Sequence, residues 1–218
     1  MHHFHRFSRG LLLALAIFAS PVSAVDHHPT FSELAATVEL IESVQQGGFV
    51  LYMRHGATDS AQPDQVPIDL DDCATQRPLT DAGRDEVRAV GVALRQAGIP
   101  FGEILSSPLC RAVETARIVF PAAEISVVAQ LMYTAHLTSE EKLPIVATTR
   151  ELISRPVAMG ANRVLVAHAP NLADVMAYFP AVEGTVVVFR PRGDGEFDYL
   201  ASIHPDHWPE LLEALGAP

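Results

Sequence analysis

The sequence is short of positive charge, of cysteine and of long apolar runs. It has 15 Lys and Arg residues against 26 Asp and Glu residues, which gives a formal net charge of −11. A chain with this charge repels nucleic acid and anionic membrane surfaces, so we expect no nucleic-acid partner. An anionic ligand must then be held by a local group of basic side chains, which makes each arginine informative.

The longest apolar run is "LLLALAIFA" at 11–19. It is far shorter than the ~20 apolar residues of a membrane-spanning helix, and no other segment is long enough to span. Arg6 and Arg9 precede the run and "SPVSA" follows it, which is the layout of a secretory signal peptide. We therefore predict a cleaved signal at 1–24, one exported domain at 25–218, a periplasmic or secreted location, and no stable membrane insertion. Cleavage removes two arginines and no acid, so the net charge changes from −11 to −13.

The only two cysteines, Cys73 and Cys110, both lie in the exported part. An even pair in an oxidising compartment suggests one disulfide, which contributes roughly 3–4 kcal/mol of stability in the loop-entropy model. Two buried free thiols are the alternative.

Predicted strands alternate with predicted helices along the exported part. The runs "FVLYM" at 49–53 and "RVLVA" at 163–167 are typical of buried strands. The stretch 79–99 has a helical pattern, with Thr80 as its cap and Gly98 as its stop. This alternation predicts an α/β fold, a three-layer α/β/α sandwich around a mainly parallel sheet.

Two further helices are predicted from less regular stretches. Residues 30–48 are interpreted as a helix that begins with a capping box of Thr30 and Glu33. Residues 138–155 are also interpreted as helical, with Pro144 either breaking the segment or starting its main part.

Two histidines follow buried strands in the same way. His55 comes directly after "FVLYM" and Arg54, and His168 comes directly after "RVLVA". Ligands of open parallel sheets bind beyond the carboxyl ends of the strands. Two neighbouring strands would therefore bring both imidazoles to one crevice.

A third stretch, "SSPLCRAVETA" at 106–116, puts Arg111 in the first turn of a helix. The free amide groups and the positive dipole end at a helix start attract phosphate, and a guanidinium adds a fork suited to phosphate oxygens. The alternative is a solvated pair between Arg111 and Glu114, which would contribute little.

Together these stretches resemble the histidine phosphatase superfamily, which includes cofactor-independent acid phosphatases and 2,3-bisphosphoglycerate-dependent mutases. The resemblance covers 48–204 and is carried, in order, by "RHG" at 54–56, "LTDAG" at 79–83, Ser106-x-x-x-x-Arg111-Ala112-x-Glu114-Thr115, and His168 after "VLVA". It implies a phosphoglycerate mutase-like sandwich and a phosphatase reaction without metal or cofactor. Its ligand would be a small phosphorylated substrate or a phosphorylated glycan.

The resemblance also implies roles for single residues. His55 would be the nucleophile that forms a phosphohistidine, which water then cleaves. Arg54, Arg111 and His168 would hold the nonbridging phosphate oxygens.

Substrate-binding residues are expected beside these groups. Gly56 would let the backbone come close and hold the second imidazole nitrogen, while Thr58 and Arg77 would belong to the pocket wall. Specificity is expected from 57–79 and from 131–160. The other basic residues that could extend the pocket are Lys142, Arg150 and Arg155.

The general acid is open, because two family patterns are missing. The mutase-like branch has an acid where this chain has Tyr133, and the phytase-like branch has an aspartate where it has Ala169. The pattern "HAPNL…EG…VFRP" resembles instead a small exported subgroup that includes phosphatases of heptose phosphate in the lipopolysaccharide core. Glu183 is therefore the candidate acid, although a solvated turn carboxylate is its other role. Its rivals are Asp59, Glu140 and Glu141.

Two other functions stay open. A protein of the same fold that binds phosphate or phosphosugars without turnover would keep the pocket and lack a competent acid. Signal cleavage would also leave Val25-Asp26-His27 at the N-terminus, where it could form a square-planar Cu(II) or Ni(II) site. A disordered tail with incidental histidines is the commoner case.

Overall fold

The computed structural model describes residues 1–2 and 31–217. The predicted signal peptide and the Val25-Asp26-His27 site lie outside the described residues, and the compact unit that contains the sheet begins at Phe31. None of the helices in the described part is long and apolar enough to cross a membrane.

The described residues form a sheet surrounded by helices. The strands are β1 (Val50–Arg54), β2 (Phe101–Ser106), β3 (Ser126–Val127), β4 (Asn162–Ala167), β5 (Val186–Gly193) and β6 (Glu196–Ile203). The α-helices are α1 (Val38–Gln45), α2 (Asp81–Gln96), α3 (Cys110–Val119), α4 (Ser139–Ser154), α5 (Ala169–Met176) and α6 (Trp208–Leu215). Short 3-10 turns occur at Cys73–Thr75, Ala129–Leu131 and Pro205–His207.

The strand order is β3-β2-β4-β1-β5-β6. Strands β3, β2, β4 and β1 are parallel to one another. Strand β5 is antiparallel to both of its neighbours, β1 and β6. The predicted mainly parallel sheet is therefore confirmed. In the β1–β4 register Arg54 lies opposite Ala167, so His55 and His168 are each the next residue after a matched pair.

Each face of the sheet is covered by its own group of helices, which confirms the three layers. Leu51 and Met53 of β1 pack in one core with α1, α2, α3 and α6. Val50 and Tyr52 pack in the other core with α4 and α5. Because both faces of β1 are buried, its apolar run is continuous rather than alternating.

The helix predicted from Thr30 is wrong over residues 31–36, and Thr30 itself lies outside the described residues. Helix α1 begins only after its N-cap Thr37. The preceding residues run along the sheet edge, where Ala35 bridges to Ser202 and the Leu34 carbonyl accepts a 2.8 Å hydrogen bond from the Ser202 amide. Pairing with β6 satisfies this backbone without a helix, and Glu33 contacts Tyr178 instead of capping.

The prediction that Pro144 breaks or starts a helix is also wrong. Helix α4 runs through Pro144 from a capping box formed by Thr138 and Glu141. Pro144 lies only in the second turn, so it removes one helical N–H near an end that is already fixed by the cap.

Candidate active site

His55 and His168 meet at the carboxyl ends of β1 and β4. Their ring centroids are 5.1 Å apart, and the ring planes make an angle of 63°. Both side chains are buried, with residue exposures of 2% and 0%. Histidines this deeply buried and this close need specific partners, and each has them.

The ring of His55 is oriented by its own neighbour. Its Nδ1 lies 2.8 Å from the Gly56 carbonyl oxygen, so the neutral tautomer with a proton on Nδ1 donates to that oxygen and leaves a lone pair on Nε2. The Gly56 amide in turn donates to Thr115 Oγ1 at 3.1 Å. Burial, assisted by the charge of Arg111, lowers the pKa of His55 to about 3. The imidazole is therefore neutral at physiological pH, as a nucleophile requires.

His168 is held from both its side chain and its backbone. Its Nε2 lies 2.8 Å from Ser107 Oγ, and the Tyr52 hydroxyl donates to the His168 carbonyl at 2.7 Å. The Nδ1 atom is buried and has no hydrogen-bond partner. Burial, followed by the charge of His55, lowers the pKa of His168 well below its usual value.

Arg111 lies in the first turn of α3, where the sequence predicted it, and its side chain is fully buried. Its Nη1 donates to Asp64 Oδ1 at 2.9 Å. The alternative pairing with Glu114 does not occur, because Glu114 accepts instead from Arg84 at 2.7 Å. The Nε and Nη2 atoms of Arg111 are buried and unpaired.

Asp64 was missed by the sequence analysis. Its Oδ1 accepts from the Arg77 amide at 2.8 Å as well as from Arg111, and its side chain is only 7% exposed. It is one of several aspartates in a polar loop, and no motif distinguishes it from the others. Asp64 thus joins the 57–79 loop to the guanidinium of Arg111.

Arg54 joins β1 to the segment before β5. Its Nη1 donates to the carbonyls of Pro180 and Ala181 at 2.8 and 2.6 Å, and its Nη2 lies 3.2 Å from Glu183 Oε1. Thr58 Oγ1 donates to the same Glu183 oxygen at 3.2 Å. The structure therefore places Thr58 and Glu183 together beside Arg54.

Several nitrogen atoms of the site are buried and unpaired within the described part of the chain. They are Nε of Arg54, Nε of Arg77, Nε and Nη2 of Arg111, and Nδ1 of His168. The three arginines are close enough that their charges all lower the pKa of His168. Buried donors without acceptors are costly, so such a cluster favours an anion with several oxygen atoms, such as phosphate.

Tyr133 is a second residue that the sequence analysis did not assign to the site. Its ring lies over Arg111, with 5.4 Å between the guanidinium carbon and the ring centroid. It also packs edge to face with the ring of His168, with 5.4 Å between the two ring centroids. Asn171 fixes this segment by donating from Nδ2 to the carbonyl of Met132 at 3.0 Å. The mutase-like acid position is therefore occupied by an aromatic side chain that covers the cationic groups.

The rivals of Glu183 have other roles in the described structure. Asp59 is half-buried and accepts from the Gln62 side chain and the Ala61 amide, which lower its pKa. Glu141 belongs to the capping box of α4, where backbone and side-chain hydrogen bonds from Thr138 lower its pKa. Glu140 is exposed in the first turn of the same helix.

The basic residues expected to extend the pocket point elsewhere. Lys142 pairs with Asp174 at 3.0 Å, and Arg155 pairs with Glu103 at 3.0 Å. Arg150 donates to backbone carbonyls, including that of Gly195. The arginines that surround a cavity of about 570 Å³ beside the site are instead Arg77, Arg84, Arg111 and Arg117.

The two cysteines form a disulfide at the edge of this cavity. Cys73 lies in a 3-10 turn of the long loop, and Cys110 is the first residue of α3, directly before Arg111. The Cys110 amide also donates to Gln76 Oε1 at 2.8 Å. The bridge therefore ties the loop that carries Asp64 to the helix that carries Arg111.

Solved structures with the same fold include phosphatases. The protein histidine phosphatase SixA, solved with tungstate, has a TM-score of 0.51 and 20% identity over 73% of this chain and 98% of its own. Phosphoserine phosphatase from Entamoeba histolytica, in complex with 3-phosphoglyceric acid, has a TM-score of 0.49 and 15% identity over 73% of this chain and 98% of its own. At 20% identity the likeness to SixA concerns the fold alone. None of the curated protein sequences compared with the chain matches it.

The family comparison covers the first part of the site. The model of the histidine phosphatase superfamily (branch 1) matches residues 50–132, which contain Arg54, His55 and Arg111 but not His168. The second histidine enters the site through β4, the parallel neighbour of β1 in the sheet. This match covers less than half of the chain; together with the phosphoglycerate mutase-like sheet, it makes the chain similar to the histidine phosphatase superfamily, branch 1.

Proposed function

We propose that the protein is an exported phosphatase that hydrolyses phosphomonoesters without a metal ion, through a phosphohistidine on His55. The observation that carries the proposal is the set of unpaired buried nitrogens of Arg54, Arg77, Arg111 and His168 around a neutral imidazole. An uncharged nucleophile surrounded by fixed donors is what transfer of a phosphoryl group requires.

In the first step the Nε2 lone pair of His55 attacks phosphorus, and the bond between phosphorus and the ester oxygen breaks. Nδ1 keeps its proton and donates it to the Gly56 carbonyl oxygen in a hydrogen bond. This bond stabilises the positive charge that forms on the ring. In the second step water attacks the phosphorus of the phosphohistidine and gives a proton to the Glu183 carboxylate, the P–N bond breaks, and inorganic phosphate leaves while His55 returns to its neutral form. Each charge-assisted hydrogen bond to the phosphoryl oxygens contributes about 1.5–3 kcal/mol.

Glu183 is the proposed general acid for the leaving oxygen. Its carboxylate lies beside Arg54 and Thr58, and the next residue, Gly184, donates its amide to the His55 carbonyl at 3.1 Å. A bound phosphoryl group would compete for Arg54, which would release the carboxyl group to carry and deliver a proton. Asp64 is another carboxylate near the site, but its oxygen already holds Arg111 and the Arg77 amide.

Export and substrate class are also parts of the proposal. The Cys73–Cys110 disulfide supports an oxidising compartment. The substrate would be a small phosphomonoester or a phosphorylated glycan. The finer assignment, heptose phosphate of the lipopolysaccharide core, is supported only by the sequence resemblance around His168, Glu183 and β5.

The test is p-nitrophenyl phosphate hydrolysis by residues 25–218 in the presence of EDTA, beside His55→Ala. Turnover that survives EDTA and disappears in the variant, together with acid-labile phosphate on the wild-type protein, would support the proposal. Phosphate binding without turnover between about pH 4 and 8 would replace it with the noncatalytic binding protein. Turnover that persists in His55→Ala would refute the role of His55.

A further inference from the structure

A cluster of metal-ligating side chains that the proposed mechanism does not use lies in "HPDH" at 204–207. Nitrogens of His204 and His207 and a carboxylate oxygen of Asp206 all lie within 4.8 Å of one another. The two imidazole rings are stacked, with centroids 4.9 Å apart and planes 16° from parallel. We propose that His204, Asp206 and His207 bind one divalent transition-metal ion.

A fourth ligand is within reach. Glu33 Oε2 lies 3.3 Å from His204 Nε2 but is not one of the three ligand atoms that lie within 4.8 Å of one another. If its side chain turned toward Asp206 and His207, the ion would have two imidazoles and two carboxylates around it. This donor set suits Zn(II), Ni(II) or Cu(II), whereas Ca(II) and Mg(II) prefer oxygen ligands alone. The net charge of −11 also favours uptake of a cation.

The ligands need only small movements to close on an ion. Tetrahedral ligands of zinc are about 3.3 Å apart, somewhat closer than the present spacing. The side chains of Asp206 and His207 are 84% and 45% exposed, so they can change rotamer without disturbing the core. The backbone beneath them is already fixed in the turn Pro205–His207.

The position of the cluster indicates a structural ion rather than a catalytic one. Glu33 belongs to the segment that pairs with β6 through Ala35 and Ser202, so an ion would join this segment to the turn before α6. Pro205 packs against Gly184, where an added Cβ would come within 3.1 Å of Pro205 Cγ. The ion would thus brace the backbone behind His55 without contacting a reacting atom.

The chain supplies its own reporter for binding. Trp208 is the only tryptophan, it is 2% exposed, and it directly follows His207. Paramagnetic Cu(II) or Ni(II) at the cluster is therefore expected to quench its fluorescence. The protein to be titrated is residues 25–218 with the substitutions His27→Ala and His28→Ala, which remove the predicted tail site.

We expect saturable quenching with one Ni(II) per chain, and a higher melting temperature with Zn(II). His207→Ala and Asp206→Asn should each weaken binding at least about tenfold, and Glu33→Gln should also weaken it. The matched control, His136→Ala, removes an exposed histidine outside the cluster and should bind like the parent.

Equal Ni(II) affinity in His207→Ala and in the parent would overturn the site, and unchanged affinity in Glu33→Gln would overturn the fourth ligand. His207→Ala should retain the p-nitrophenyl phosphate activity of the parent in EDTA. The parent should also have the same activity with Zn(II) as in EDTA. A Zn(II)-dependent activity that disappears in His207→Ala would overturn the structural role proposed for the ion, whereas an inactive parent would refute the phosphatase and leave the metal titration valid.

Discussion

At the scale of single residues, the site depends on contacts that hold its arginines in place. Arg111 has one hydrogen bond from its guanidinium to Asp64, and Arg54 has three acceptors around it. In both residues the remaining buried nitrogens are left for the ligand. Residues that position an arginine can therefore be tested by substitution in the same way as His55.

Asp64→Asn should lower kcat by about tenfold or more, because a charge-assisted bond of about 1.5–3 kcal/mol no longer orients Arg111. Binding of inorganic phosphate should not weaken, since the substitution removes a negative charge from the site. Steady-state kinetics and phosphate titration would measure both. Asp59→Asn, in the same loop but hydrogen-bonded to Ala61 and Gln62 rather than to an arginine, is the control. An unchanged kcat in Asp64→Asn would show that Asp64 does not position Arg111.

Glu183→Gln should distinguish leaving groups. An alkyl phosphate needs a proton on its leaving oxygen, so its kcat should fall about 10²–10⁴-fold. Nitrophenolate leaves easily without a proton, and its rate should fall much less. Equal losses on both substrates would exclude Glu183 as the acid, and the same comparison with Asp59→Asn tests a rival.

At the scale of elements, the long loop reaches the site only because other elements hold it. The disulfide fixes the loop to α3, and the isolated bridge between Thr58 and Leu79 closes it on itself. Helix α2 begins directly after this loop, from its cap at Thr80. Both ends of the loop are thus coupled to the His55 strand.

Replacing Cys73 and Cys110 together by serine should reduce stability and activity. The bridge spans a sequence separation of 37, for which the loop-entropy model gives about 4 kcal/mol. The value of kcat/KM should also fall, because the loop with Asp64 would no longer be tied to Arg111. Urea denaturation measures the loss of stability, and p-nitrophenyl phosphate assays measure the loss of activity. Wild-type protein with its disulfide reduced should show the same losses as the double variant. An unchanged kcat/KM would show that the disulfide does not contribute to activity.

Two glycines of α2 offer a matched pair. An added Cβ at Gly83 would come within 2.3 Å of the carbonyl oxygen of Ala57, two residues after His55, and one at Gly91 would come within 2.8 Å of the Val119 carbonyl oxygen. Each change to alanine should cost about 1–3 kcal/mol of stability. Only Gly83→Ala should also lower the kcat of the folded enzyme. Equal kcat values in the two variants would contradict the coupling of α2 to the site.

At the scale of the whole molecule, burial of the histidine pair links the site to the stability of the fold. The pKa of His55 is lowered to about 3 from its ordinary value of 6.5, and that of His168 is lowered as well. Between these values the unfolded chain binds more protons than the native chain, so the free energy of unfolding rises with pH. The contribution of the buried neutral His55 to the free energy of unfolding is fully present above pH 6.5 and is lost as the pH falls toward 3.

We therefore expect the free energy of unfolding to decrease as the pH is lowered from 6.5 to about 5, before most carboxylates titrate. His55→Gln should make this decrease less steep, because one of the two buried imidazoles is removed. Urea denaturation at a series of pH values measures both slopes. Identical slopes in the variant and the parent would show that burial of His55 does not contribute to the pH dependence.

The sequence by itself determined the elements that local chemistry controls. Continuous apolar runs predicted β1 and β4, because both faces of these strands are buried. The residues that directly follow them could be assigned to one crevice, because parallel strands end at the same edge. Arg111 could be placed in a first turn from its local context alone.

The tertiary structure alone decided which groups become partners across the chain. Asp64 and Tyr133 reach Arg111 from loops distant in sequence, and no periodicity reports such contacts. The segment before Thr37 became a sheet edge rather than a helix because β6, far along the chain, offers it hydrogen bonds. Local propensity is a weak preference, and long-range pairing and burial override it where they satisfy the same backbone and polar groups.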